Sequence, residues 1–174
     1  MKKQLLLVMA FVAGVFTANA QEWNFSDFTA GDIAETTVID GLTIHASSGK
    51  KVSIDGSKKT FEDYSFTQRL KFGGTGGFDA ETGEPIDRIL SFPVSGNATI
   101  TVIGTHASSS GDPRSLMVPA GSKDNEVGSM EVTPGEITKK EIIYTEEQQY
   151  VIQGFRKDYL CGTRRTYLLH GVTG

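Results

Sequence analysis

Apolar and polar side chains alternate with period two along most of this chain. The clearest run is FEDYSFTQRLKFGGTGG, Phe61 to Gly77. Successive side chains of an extended strand point to opposite faces. Phe66, Leu70 and Phe72 therefore share one face, with Gln68 as its polar member. Ser65, Thr67, Arg69 and Lys71 share the other. One face suits a core, and the other is polar and cationic.

The same reading continues on both sides. Trp23, Phe25 and Ser26 to Phe28 read as a first edge strand running into a turn. Asp40-Gly41 between two β-branched runs is a hairpin signal. KVSID (Lys51 to Asp55) alternates, and Gly56-Ser57-Lys58-Lys59 after it reads as a turn. RILSFPV (Arg88 to Val94) and ATITVIGTH (Ala98 to His106), joined by Ser95-Gly96-Asn97, read as the clearest hairpin in the chain. Further short strands are expected at RSLMVP, at Gly128 to Val132, at Lys140 to Tyr144 and at Tyr150 to Gly154. No segment after the first 20 residues sustains helical periodicity. Short strands separated by turn signals predict an all-β antiparallel sandwich or barrel.

The first 20 residues differ from the rest. Lys2 and Lys3 precede an apolar run from Leu5 to Phe16, and Ala18-Asn19-Ala20 has the small-x-small pattern of a cleavage site. Residues 1–20 are expected to be a signal peptide, with Gln21 the first mature residue and an exported product, periplasmic or extracellular. The run is shorter than the roughly 20 apolar residues that a membrane-spanning helix needs. No later segment is apolar enough to span, so no membrane partner is expected.

Charge and cysteine narrow the picture. Removing Lys2 and Lys3 from the 17 basic residues leaves 15 against 21 acidic ones, a net of 15 − 21 = −6. An acidic chain is a poor partner for nucleic acid, whose affinity comes from clustered cations. The lone cysteine, Cys161, excludes an internal disulfide.

No catalytic constellation stands out. Gly73–Gly77 lacks the Lys-Ser or Lys-Thr pair of a phosphate loop and reads as a turn. His45, His106 and His170 have no metal-ligand spacing, and His106 reads as a rim or surface residue. Acidic turns, among them Asp79, Glu81, Glu84 and Asp87, suit calcium chemically but form no DxDxDG array; no cofactor is assigned. The candidate binding residues are Arg69 and Lys71, about 7 Å apart along one strand face. Arg114 joins them if its strand is a neighbour, with Tyr64 and Trp23 as aromatic surfaces for sugar rings. Cations beside aromatics suit an acidic polysaccharide. A solvated strand face whose long stems cover the sheet is the plainer alternative.

The words FTAGDIAETTVIDGLTIHAS, FTQRLKFGGTGG and RILSFPVSGNATITVIGTHASSSGDPRSL resemble a β-sandwich module of exported polysaccharide-degrading proteins of Bacteroidetes-type bacteria. That module lies next to pectate lyase-type β-helix domains. The resemblance covers roughly Trp23 to Gly154. It implies a jelly-roll-like fold, a non-catalytic carbohydrate-binding or accessory role, and a downstream catalytic domain as partner. Two other roles stay open: an N-terminal fragment of a pectate lyase-type enzyme without its catalytic domain, and a structural or partner-docking domain.

Residues 155–174 depart from the module's pattern. They carry Arg156, Lys157, Arg164 and Arg165 against Asp158, whereas residues 21–154 hold the other 11 basic residues against 20 acidic ones. Either this tail is a frameshift product arising near Phe155, or it is a genuine divergent strand through Tyr167-Leu168-Leu169. Codons for Asp158 to Gly162, read one nucleotide onward, permit Ile-Ile-Tyr-Val-Gly, a strand of the module's kind. Sequencing the encoding DNA decides between them. A frameshift requires module-like codons continuing in the shifted frame beyond Gly154, and their absence rules it out.

Overall fold

A computed structural model describes residues 21–94 and 96–145, and the backbone of 158–162 and 167–173. The segment 1–20 expected to be a signal peptide, the strand expected at Tyr150 to Gly154, and Arg156, Lys157, Arg164 and Arg165 lie outside the described residues.

The strands are β1 (Gly31–Ile33), β2 (Thr37–Ile39), β3 (Leu42–His45), β4 (Val52–Phe61), β5 (Tyr64–Lys71), β6 (Gly77–Phe78), β7 (Pro85–Asp87), β8 (Ile89–Phe92), β9 (Ala98–Thr105), β10 (Arg114–Pro119), β11 (Glu126–Val132), β12 (Ile137–Tyr144), β13 (Asp158–Gly162) and β14 (Tyr167–Thr173). They form a six-stranded sheet A, β1-β4-β5-β14-β9-β12, a six-stranded sheet B, β11-β10-β13-β8-β3-β2, and a β6–β7 ribbon. Every strand pair in them is antiparallel. The chain is an all-β, jelly-roll-like antiparallel sandwich. The tail backbone takes inner positions: β13 pairs with β10 and β8, and β14 with β5 and β9.

The core fills the gap between the sheets. Val52 and Ile54 of β4, Leu70 of β5, Phe72 just beyond it, Ile100 and Val102 of β9 and Ile142 of β12 meet Leu42, Ile44, Leu90, Phe92, Leu116 and Val118 from sheet B. Alternation thus places Leu70 and Phe72 as expected. Phe66 departs. It packs with Ile103 of β9 in a separate cluster, flanked by Phe61, Tyr64 and Ile137.

Local chemistry explains the turns. Asp40 and Gly41 both have positive φ, 49° and 78°, so the two-residue β2–β3 loop takes the conformation that matches strand twist. Asp79 organises the β6–β7 loop, its Oδ1 accepting from the Glu81 and Thr82 N–H groups and the Thr82 hydroxyl. The Thr82 backbone N–H, then its hydroxyl, then the Glu81 N–H hold the Asp79 carboxyl below its ordinary value. This acid serves the turn.

Three expectations change. Residues 25–27 form a 3-10 turn capped by the Asn24 side chain, not an edge strand, and Gln68 Nε2 donates to the Ser26 and Phe28 carbonyls beside it. Gly56-Ser57-Lys58-Lys59 lies inside β4 as a β-bulge, with a register shift between Gly56 and Lys59. The expected β8–β9 hairpin does not form. β8 lies within sheet B with all four residues buried, whereas β9 lies in sheet A between β14 and β12. Their connection crosses from one sheet to the other.

Trp23 belongs to the core. It is 4% exposed, its ring centroid lies 5.1 Å from that of Phe92, and its Nε1 donates to the Asp40 carbonyl at 2.9 Å. It offers no surface for a sugar ring. As the only tryptophan it also reports on the fold. Its emission is expected to be blue-shifted in the native protein and red-shifted on unfolding. Trp23→Ala is expected to cost about 3–5 kcal/mol in a urea titration. A loss under about 0.5 kcal/mol, the surface range, would contradict burial.

Candidate glycan-binding face

The outward face of sheet A carries most of the charged side chains singled out above. Leu70 is in the core, so its neighbours Arg69 and Lys71 project to the other side. Across the ladder, Asp55 on β4 stands opposite Arg69. Its Oδ1 accepts from Arg69 Nε at 2.5 Å and its Oδ2 from Arg69 Nη2 at 3.3 Å, and Lys71 Nζ lies 3.9 Å from Oδ2. Lys51 pairs with Asp32 of β1 at 3.3 Å. Arg69 and Lys71 are thus brought together, but around a shared carboxylate. The face is a charge-alternating network in which Arg69 is already occupied by a bidentate partner.

Arg114 does not join them. It sits on β10 of sheet B, and its Nε donates to His106 Nε2 at 2.8 Å. With Nε2 accepting, the His106 proton belongs on Nδ1, which donates to the Ser108 carbonyl at 3.0 Å. His106 is 5% exposed and links the β9–β10 loop to the start of β10. It is a buried strut and not the rim residue expected. Arg114 is tied to it and separated by sheet from Arg69.

Tyr64 leads to a place that sequence reasoning missed. β5 and β12 stand three positions apart in sheet A, yet the end of the β4–β5 hairpin touches β12. Lys139 Nζ of β12 donates to Glu62 Oε2 at 3.0 Å and lies 5.8 Å from the centroid of the Tyr64 ring. Tyr64 in turn stacks on Phe66 at 6.2 Å, and Phe66 packs on Ile103. The hairpin end therefore reaches across the sheet and is rooted there by the second apolar cluster. Between hairpin and strand lies an open groove of about 460 Å³ lined by Phe61, Glu62, Lys139, Lys140 and Glu141.

Phe61 supplies an apolar surface and the Lys139–Glu62 pair a charged rim, with Glu141 on the same face of β12 as Lys139; Lys140 alternates to the side of Ile142 and Tyr144. Hydroxyl-rich ligands need both donors and acceptors close to an apolar patch. The hydrogen bond to Glu62 is the main cause that holds the Lys139 ammonium above its ordinary lysine value. A raised lysine pKa keeps the contact present at neutral pH and loses it only as pH rises through the elevated value. Among the described residues, no three His, Cys, Asp or Glu side chains gather in a way that would hold a metal ion.

No family model matches the chain, and no curated protein matches it. Solved structures do. An MgGH51 α-L-arabinofuranosidase, solved with arabinose bound, aligns over 86% of this chain at a TM-score of 0.50 and 11% identity. The N-terminal CBM22-1–CBM22-2 tandem domain of Xyn10C from Paenibacillus barcinonensis aligns over 90% at a TM-score of 0.50 and 15% identity. The CBM22-1 xylan-binding domain of the same Xyn10C aligns over 90% of this chain and 93% of its own, at 0.49 and 14%. This chain spans 25% of the arabinofuranosidase and 44% of the tandem domain. The likeness is one of fold.

Asp55→Asn is expected to release Arg69 and Lys71 from their shared carboxylate. Retention on a polygalacturonate column should then need more salt for elution, and Arg69→Ala with Lys71→Ala should abolish that gain. An unchanged elution position for Asp55→Asn would contradict the neutralised network.

Proposed function

We propose that the chain is an exported, non-catalytic carbohydrate-binding module that holds a polysaccharide-degrading protein on plant-type, pectic polysaccharide. The observation that carries this reading is the groove between the β4–β5 hairpin and β12. This open, shallow groove sets an aromatic surface beside the Lys139–Glu62 pair and the Glu141 carboxylate, a mixture that fits sugar hydroxyls. The sandwich shared with a CBM22 tandem domain supports it, as does the signal-peptide pattern of residues 1–20. On this reading catalysis belongs to a downstream domain of pectate lyase type.

The groove is not preoccupied as the Arg69 face is. Glu141 is exposed and has no ion-pair partner among the described residues, while Glu62 and Lys139 steady each other at the rim. Affinity gels of arabinoxylan, arabinan and pectin test the reading. The mature protein is expected to be retarded on at least one of them. Phe61→Ala combined with Glu141→Ala should weaken that retardation several-fold without loss of folding, and Arg114→Ala should leave it unchanged. Free migration of the folded protein on all three gels would refute a glycan-binding role and leave a structural or docking domain.

A further inference from the structure

Arg69, Arg88 and Arg114 are the arginines whose side chains the structure describes. Arg69 is held by Asp55 and Arg114 by His106. Arg88 has neither kind of partner. No carboxylate pairs with it among the described residues, and its Nε is buried without a hydrogen bond. Its backbone is left-handed, φ 53°, between β7 and β8. A non-glycine residue adopts that conformation at a steric cost and persists in it where surroundings demand it.

The surroundings are the glycine run of the opening motif. A Cβ at Gly74 would stand 2.2 Å from Arg88 Nη1 and 2.9 Å from its Cζ. A Cβ at Gly77 would stand 2.8 Å from Asp87 Oδ1. Gly74 and Gly77 thus leave room for two consecutive charged side chains, which gives GGTGG a steric reason beyond turning the chain. Asp87 is 4% exposed; its Oδ2 takes Lys50 Nζ at 3.2 Å, and its Oδ1 is buried with no partner. Lys50 pairs with the buried Asp87 carboxylate, while the Arg88 guanidinium lies against Gly74 and is left with no ion-pair partner among the described residues.

We propose that Arg88, laid across Gly74 and supported by the Lys50–Asp87 pair, is a second glycan contact that takes a uronate carboxylate. The guanidinium plane matches a carboxylate bidentately, which an ammonium does not. None of these residues lines the groove between the β4–β5 hairpin and β12. The groove reads sugar hydroxyls; Arg88 adds preference for acidic sugar units. This rests on the carbohydrate-binding reading and names the part of the ligand that gives it a pectic preference.

Retention is measured for the mature chain on three gels: polygalacturonate, its fully methyl-esterified form and neutral arabinoxylan. Arg88→Gly relieves the left-handed backbone, and Arg88→Asn is a second variant whose side chain also tolerates it. Wild type should bind polygalacturonate about tenfold more tightly than the ester, as one charge-assisted contact allows. Both variants should lose that preference, keep arabinoxylan retention and melt no lower than wild type. Persistence of the acid preference in either folded variant overturns the proposal, and a lowered melting temperature with unchanged preference identifies Arg88 as a structural strut. Wild type retained equally by ester and acid defeats the uronate contact while the module reading stands. Retention by none of the gels defeats both.

Discussion

The burial of one face of β5 is the constraint on which the rest of the arrangement depends. Leu70, and Phe72 beyond the strand, are sealed between the two sheets. Removing each such side chain from water is worth about 1.5–3 kcal/mol, and a shift of one residue would turn the whole set outward. With that face fixed, Arg69 and Lys71 have no choice but to point away from the core, where Asp55 meets them. Four residues earlier on the same face, Phe66 packs on Ile103 of β9 and not on sheet B. That contact carries the hairpin end over the sheet and creates the groove against β12.

The fold was largely open to sequence reasoning because its determinants are local. Period-two alternation found the strands, and Asp40-Gly41 found its turn through the left-handed conformation such pairs tolerate. Partner choice between sheets was not local. β8 and β9 alternate and flank a turn-like Ser-Gly-Asn, yet β8 is buried through all four residues and belongs inside sheet B. Nothing in a strand's own pattern says which sheet will accept it.

The site was harder to read for the same reason. Trp23 reads as an aromatic surface for a sugar ring until the indole N–H is seen to reach the Asp40 carbonyl. The pairing of Arg69 with Asp55 depends on a bulge. Counting five residues back along each strand from the Phe61–Tyr64 pair puts Gly56 opposite Arg69; the extra residue between Gly56 and Lys59 puts Asp55 there instead. Gly56-Ser57-Lys58-Lys59, which has the composition of a turn, is that bulge. Gly73–Gly77 held a similar surprise: its glycines serve the side chains of Arg88 and Asp87 as well as the chain's change of direction.

Two kinds of charged surface result. Around Asp55 the charges satisfy each other. At Glu141 beside the groove and at Arg88, charged groups stand without an ion-pair partner among the described residues. Amide hydrogen exchange of the mature protein with and without a pectic oligosaccharide tests this division most directly. The account predicts slowed exchange at residues 60–64 and 137–141, with none at the Trp23 segment or at β10. Protection confined to β10 and its loop, or no protection at ligand concentrations that saturate binding, would contradict it.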